Sequence, residues 1–99
     1  MPAVARIADP TTTGHGCDVI TTVISGSTTV FANYIGVEHK GDPTQIHTLP
    51  CGNSCCPHQA KINVGSGTVF ADGIAIARVG DSTDSGAIIA GSSNVNAGG

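Results

Sequence analysis

One short phrase occurs three times in this chain, and that repetition constrains the fold more than any other feature. Gly-Ser-x-x-Val appears as Gly26-Ser27-Thr28-Thr29-Val30, as Gly65-Ser66-Gly67-Thr68-Val69 and as Gly91-Ser92-Ser93-Asn94-Val95. A second phrase ends in Asp: Arg6-Ile7-Ala8-Asp9, His39-Lys40-Gly41-Asp42 and Arg78-Val79-Gly80-Asp81. The two phrases alternate. The interval from Gly26 to Asp42 is 16 residues and that from Gly65 to Asp81 is again 16, whereas the intervals from each Asp to the next Gly-Ser are 17, 23 and 10. A constant body with a variable insertion predicts one structural unit used three times, carrying arms of unequal length.

Within the body, Thr29-Val30-Phe31-Ala32 and Thr68-Val69-Phe70-Ala71 favour strand, and Asp72-Gly73 is a hairpin signal. The run Ile74-Ala75-Ile76-Ala77-Arg78-Val79 alternates large and small with period two. No apolar pattern at i, i+3, i+4, i+7 lasts a helical length. The expected fold class is therefore all-β: short hairpins related by approximate threefold symmetry, with residues 1–99 forming one domain. The 99 residues hold three aromatics, Phe31, Tyr34 and Phe70, and no Trp, so Val, Ile and Ala must build the interior. A core that small calls for a staple.

Charge narrows the partners. The net charge is −3, and the four basic residues stand scattered at 6, 40, 61 and 78, which leaves no patch for nucleic acid or an anionic membrane. No apolar run reaches the length of a membrane-spanning helix. Residues 1–9 lack a charged segment followed by an apolar one, so no signal peptide is expected. The four Cys are then expected to meet a reducing cytosol and to bind metal rather than pair.

These phrases together resemble the PAAR-repeat family. Pro2-Ala3-Val4-Ala5-Arg6 and Ala75-Ile76-Ala77-Arg78 look like its signature, each three residues before an Asp, and the Gly-Ser-x-x-Val-Phe and Gly-Asp phrases belong to the same pattern. Two features depart from it. The middle copy reads Val37-Glu38-His39-Lys40, which puts His39 in the register of Arg6 and Arg78, and the third arm carries Asp84-Ser85-Gly86 where members often supply a Cys. The resemblance implies a small cone or pyramid of three pseudo-threefold hairpin repeats, its arms converging at a metal-bound tip. It implies capping of a trimeric β-helical spike, one tip per trimer, in a phage tail or type VI secretion system. Assembly would be in the bacterial cytoplasm, and the tip would meet the target-cell envelope only transiently.

All four Cys and three of the four His lie in the arms: His15 and Cys17 in the first, then His47, Cys51, Cys55, Cys56 and His58 in the second. Zinc takes four N or S ligands, and ligands two to four residues apart fit one edge of a tetrahedron. The preferred set is His15, His47, Cys55 and His58, holding one structural zinc per chain. The resemblance supports His15, within Gly14-His15-Gly16, and His58. Cys51, Cys56 and Cys17 stand as alternatives to Cys55. Two disulfides among the four Cys are the competing reading, and Cys17 alone reads as a small buried hydrophobe. His39 reads as a solvated or surface-pairing side chain. Asp9, Asp42 and Asp81 read as acceptors of turn N–H groups rather than a catalytic trio. Two rival functions are a zinc hydrolase acting on the cell envelope and a disulfide-stapled secreted module. The first lacks a His-Glu-x-x-His motif and an acid beside the His pairs.

Overall fold

The computed structural model describes residues 1–98, and every regular element among them is a strand of two to five residues. Each strand pairs with its chain neighbour, giving five antiparallel hairpins. These are β1 (Pro10–Thr12) with β2 (Ile20–Thr22), β3 (Phe31–Ala32) with β4 (Ile35–Gly36), β5 (His47–Cys51) with β6 (Ser54–His58), β7 (Phe70–Ala71) with β8 (Ile74–Ala75), and β9 (Ser82–Thr83) with β10 (Gly86–Ala87). The chain is all-β.

A ring of backbone hydrogen bonds reveals the symmetry. Ala5 N–H donates to the Ala77 carbonyl (3.0 Å), Ala77 to Glu38 (2.8 Å) and Glu38 to Ala5 (3.0 Å), closing a triangle through equivalent positions of the three repeats. Around it the pattern recurs in threes: Ala8 to Val23, Gly41 to Ile62 and Gly80 to Ile88, at 2.9, 2.8 and 2.8 Å. Successive residues of an extended chain face opposite ways. Val4, Val37 and Ile76 therefore join Ala32, Ala71 and Ala97 in one apolar cluster, while Ala5 and Ala77 join Val23, Ile62 and Ile88 in another. The first faces the base hairpins β3–β4 and β7–β8, the second the arms. The 9.8 kDa chain is drawn out to 42 × 23 × 22 Å.

The repeated phrases build the joints. Ser27, Ser66 and Ser92 each cap their own turn, the hydroxyl of each accepting N–H bonds from the residues two and three positions on at 2.7–3.2 Å. The preceding Gly lets backbones approach, since a Cβ on Gly26 would lie 2.6 Å from the Val37 carbonyl oxygen. The Asp of the second phrase accepts the N–H of the residue three before it: Arg6 to Asp9 at 2.8 Å, His39 to Asp42 at 2.6 Å and Arg78 to Asp81 at 2.8 Å. His39 pairs with carboxylates, as one of its two expected readings held, but it does so buried. It is 5% exposed rather than solvated, wedged between Asp42 (2.8 Å) and Asp72 (3.0 Å).

The base hairpins turn on Asn33-Tyr34 and Asp72-Gly73, in which all four residues have positive φ (54°, 67°, 55° and 76°), as a type I′ turn requires. In the place of a third base hairpin the two ends of the chain pair, Ala3 bridging to Asn96 and Ala97 N–H bonding the Pro2 carbonyl at 3.0 Å.

Candidate metal centre

Each arm leaves the ring through a buried threonine, Thr11, Thr44 or Thr83, all 0% exposed, bridged to Ile88, Val23 and Ile62 respectively. Beyond them the arms lock together by polar contacts. Ser85 N–H donates to the Thr13 carbonyl at 3.0 Å, joining the third arm to the first. Asp18 N–H donates to the Thr48 carbonyl at 3.2 Å, and Thr48 N–H returns a bond to the Asp18 carboxylate at 2.8 Å, joining the first to the second. Asn63 Nδ2 reaches the Asp84 carbonyl at 3.2 Å.

This places four side chains at one point. In the first arm the Thr13 hydroxyl bridges the loop by donating to the Asp18 carbonyl at 2.7 Å, which turns His15 inward. His47 and His58 are directly paired across the β5–β6 hairpin and so share a face. Asp84 opens the β9–β10 turn with a φ of 56°, a conformation Asp tolerates better than most residues. Its Oδ2 lies 2.7 Å from His15 Nε2, 2.9 Å from His47 Nε2 and 3.1 Å from His58 Nε2. One donor atom from each residue falls within 4.8 Å of all the others.

The protonation pattern fits a cation. His15 Nδ1 lies 2.9 Å from the Gly16 carbonyl oxygen and His47 Nδ1 lies 2.9 Å from that of Gln45. A carbonyl only accepts, so each Nδ1 carries the proton, and in the neutral ring Nε2 then presents a lone pair. Those lone pairs face a carboxylate oxygen. Acceptors at such distances repel unless positive charge lies among them, and either a proton on an imidazole or one metal ion shared by all four groups supplies it. The Gly16 carbonyl and, against burial, the Asp84 carboxylate raise the pKa of His15 above the ordinary imidazole value. Burial works against ionisation of Asp84, but the imidazoles around it outweigh that and hold its carboxyl below the ordinary range. Three imidazoles and one carboxylate can coordinate a metal ion, and the set suits zinc, a metal of borderline softness.

His15, His47 and His58 therefore meet, and Cys55 does not join them. Cys55 is bonded to Cys17, and Cys51 to Cys56, with Cα separations of 6.0 and 5.9 Å. A disulfide sulfur is no thiolate, so Cys55 leaves the expected ligand set, and Asp84 stands in the fourth place. The alternatives Cys17, Cys51 and Cys56 leave it for the same reason; among the described residues no cysteine is free. In this structure the sulfurs pair, as the competing reading of two disulfides had it, rather than stand as thiols at the metal cluster. A signal for Asp84 was present: it is the only Asp, Glu, His or Cys between Asp81 and Gly91, so a third arm that converges with the others has no other ligand to offer.

Compared with known families, residues 13–91 match the PAAR motif. No curated protein matches the chain.

Proposed function

This chain belongs to the PAAR-motif family, and on that premise we propose that it is a spike-tip protein. It caps a trimeric β-helical spike in a contractile injection machine, phage tail or type VI secretion system, with one tip per trimer. A structural zinc, one per chain, closes the arms. The observation that carries this reading is the convergence of His15, His47, His58 and Asp84, one or more from every arm, on a single point. Four protein ligands fill a tetrahedral site and leave no position for a reactive water, so the metal supports shape rather than turnover.

The opposite face supports docking. All three aromatics lie on the base hairpins, and all are exposed: Phe31 56%, Phe70 57% and Tyr34 100%. Soluble domains ordinarily bury such rings, and exposed aromatic clusters mark protein interfaces. A pseudo-threefold base offers each subunit of a threefold partner a similar contact. With its base seated on the spike, the 42 Å long axis would point the arms at the target envelope. Nucleic acid has no place in this reading.

Metal analysis and mixing test it. The purified chain should hold one zinc, and His58→Ala or Asp84→Ala should lower both zinc content and melting temperature while the ring stays folded. One copy should bind per three spike chains; a three-to-three complex would defeat the capping geometry. The two disulfides favour one other reading, a disulfide-stapled module, which a metal-free preparation of full stability would support.

A further inference from the structure

Cys17 stands two residues after His15, and Cys55 stands three residues before His58. Along the chain these two histidines are 43 residues apart, but across the Cys17–Cys55 bond they are ends of one short bridge. The bridge joins the first arm to the second, and beside it Gly16 packs on Pro50, the cross-strand partner of Cys55, where a Cβ on Gly16 would lie 3.3 Å from Pro50 Cγ. We infer that the Cys17–Cys55 disulfide is the positioning element of the metal centre, so that metal retention is coupled to the oxidation state of these two sulfurs. The inference rests on the metal reading above and adds its regulation.

The segment that carries His15 is anchored where β1 pairs with β2 at Thr12 and Ile20 and where Gly14 packs on Ser85, but no apolar cluster holds the loop between those anchors. Gly16, Cys17, Asp18, Val19 and Ile20 are all exposed, and no residue of the two apolar clusters lies between Ala5 and Val23. Beyond those anchors residues 16–19 are tied to the second arm only by the Asp18 hydrogen bonds and the Cys17–Cys55 bond, and any fraction of time a ligand loop spends displaced lowers apparent affinity by that fraction. The Cys51–Cys56 bond differs. It joins two strands already set in register by five residue pairs, so it orders the hairpin's end without fixing either arm to the other.

The bond forms by exchange with a small disulfide of the glutathione class. One cysteine thiolate attacks it and releases one small thiol, and the other cysteine then displaces the second. Cys17 and Cys55 together lose two protons and two electrons, which the small disulfide takes up as it becomes two thiols. Linkage is reciprocal: whatever factor the disulfide adds to zinc affinity, zinc adds to the stability of the disulfide.

The test is competition for zinc against a chromophoric chelator, using the oxidised full chain, Cys17→Ser/Cys55→Ser and Cys51→Ser/Cys56→Ser. The first pair should bind zinc about tenfold more weakly than wild type, and the second within about twofold, each at one zinc per chain. If the first pair fails to fold, dithiothreitol titration of wild type answers instead: zinc should make Cys17–Cys55 about tenfold harder to reduce. Equal affinities overturn the inference, as does a disulfide made easier to reduce because freed thiolates capture the ion. A wild-type chain that binds no zinc fails the metal reading itself, and stoichiometry alone separates that result from the others.

Discussion

Glu38 is fully buried where the equivalent residues of the other repeats are Ala5 and Ala77, and neither of its carboxyl oxygens has a hydrogen-bond partner. Burial first, then the neighbouring Asp9 and Asp42, push its pKa up to about 9. Glu38 is therefore neutral when folded at pH 7, whereas the unfolded chain ionises it near the ordinary carboxylate value. Its folded-state pKa is raised, so its contribution is fully present at acid pH and shrinks as pH climbs through the window up to about 9. The slope is about 1.4 kcal/mol per pH unit. Glu38→Gln, which cannot ionise, should flatten this part of the profile in urea denaturations between pH 5 and 8. An unchanged slope would mean that the carboxyl finds solvent.

At the scale of the repeat, a basic residue clamps the Asp three positions on and reaches across to a neighbouring base turn. Arg6 grips Asp9 at 2.9 and 3.0 Å and touches Asn33 at 3.2 Å, while Arg78 grips Asp81 at 3.1 and 3.0 Å and touches the Gly98 carbonyl at 3.0 Å. His39 does the same between Asp42 and Asp72, but unlike arginine it can lose its charge. Burial opposes protonation of His39, yet the two carboxylates win and its pKa is raised above 6.5. The stabilisation is thus complete below pH 6.5 and lost as pH rises through the folded-state value. His39→Arg should remove that loss. Its melting temperature relative to wild type should climb above pH 7 by several degrees, and a constant difference across pH 6 to 9 would refute the clamp.

The same clamp shows what the sequence can disclose. The register of His39 with two arginines, the strand character of the body and the turn at Asp72-Gly73 were all legible, because they depend on neighbours in the chain. The burial of His39 was not, because Asp72 arrives from a different repeat, 33 residues away. The same limit governed the arms. Their His content pointed to a metal, but Cys17 and Cys55 meet across a separation of 38 residues. The expected reducing compartment argued against disulfides, but compartment carries no information about which sulfurs the fold brings together. Asp84 stood alone in its arm as a possible ligand, but as an ordinary turn residue it shows that second role only when three loops converge.

Taken whole, the molecule divides its stabilisation between two unlike halves. Both apolar clusters belong to the ring and its immediate supports, whereas β5 and β6 contribute no side chain to either cluster. The arms beyond the buried threonines are held by hydrogen bonds, two disulfides and the His15, His47, His58 and Asp84 cluster, so their order depends on polar contacts and crosslinks rather than on solvent exclusion. Hydrogen exchange can separate the halves. The ring amides of Ala5, Glu38 and Ala77 bond one another at 2.8–3.0 Å and should stay protected after chelation and reduction. The amides of Asp18 and Thr48, which join the first arm to the second, should exchange roughly tenfold faster or more under the same treatment. If protection collapsed together at both sets, ring and arms would form one cooperative unit. The metal would then be stabilising the entire fold rather than the arms.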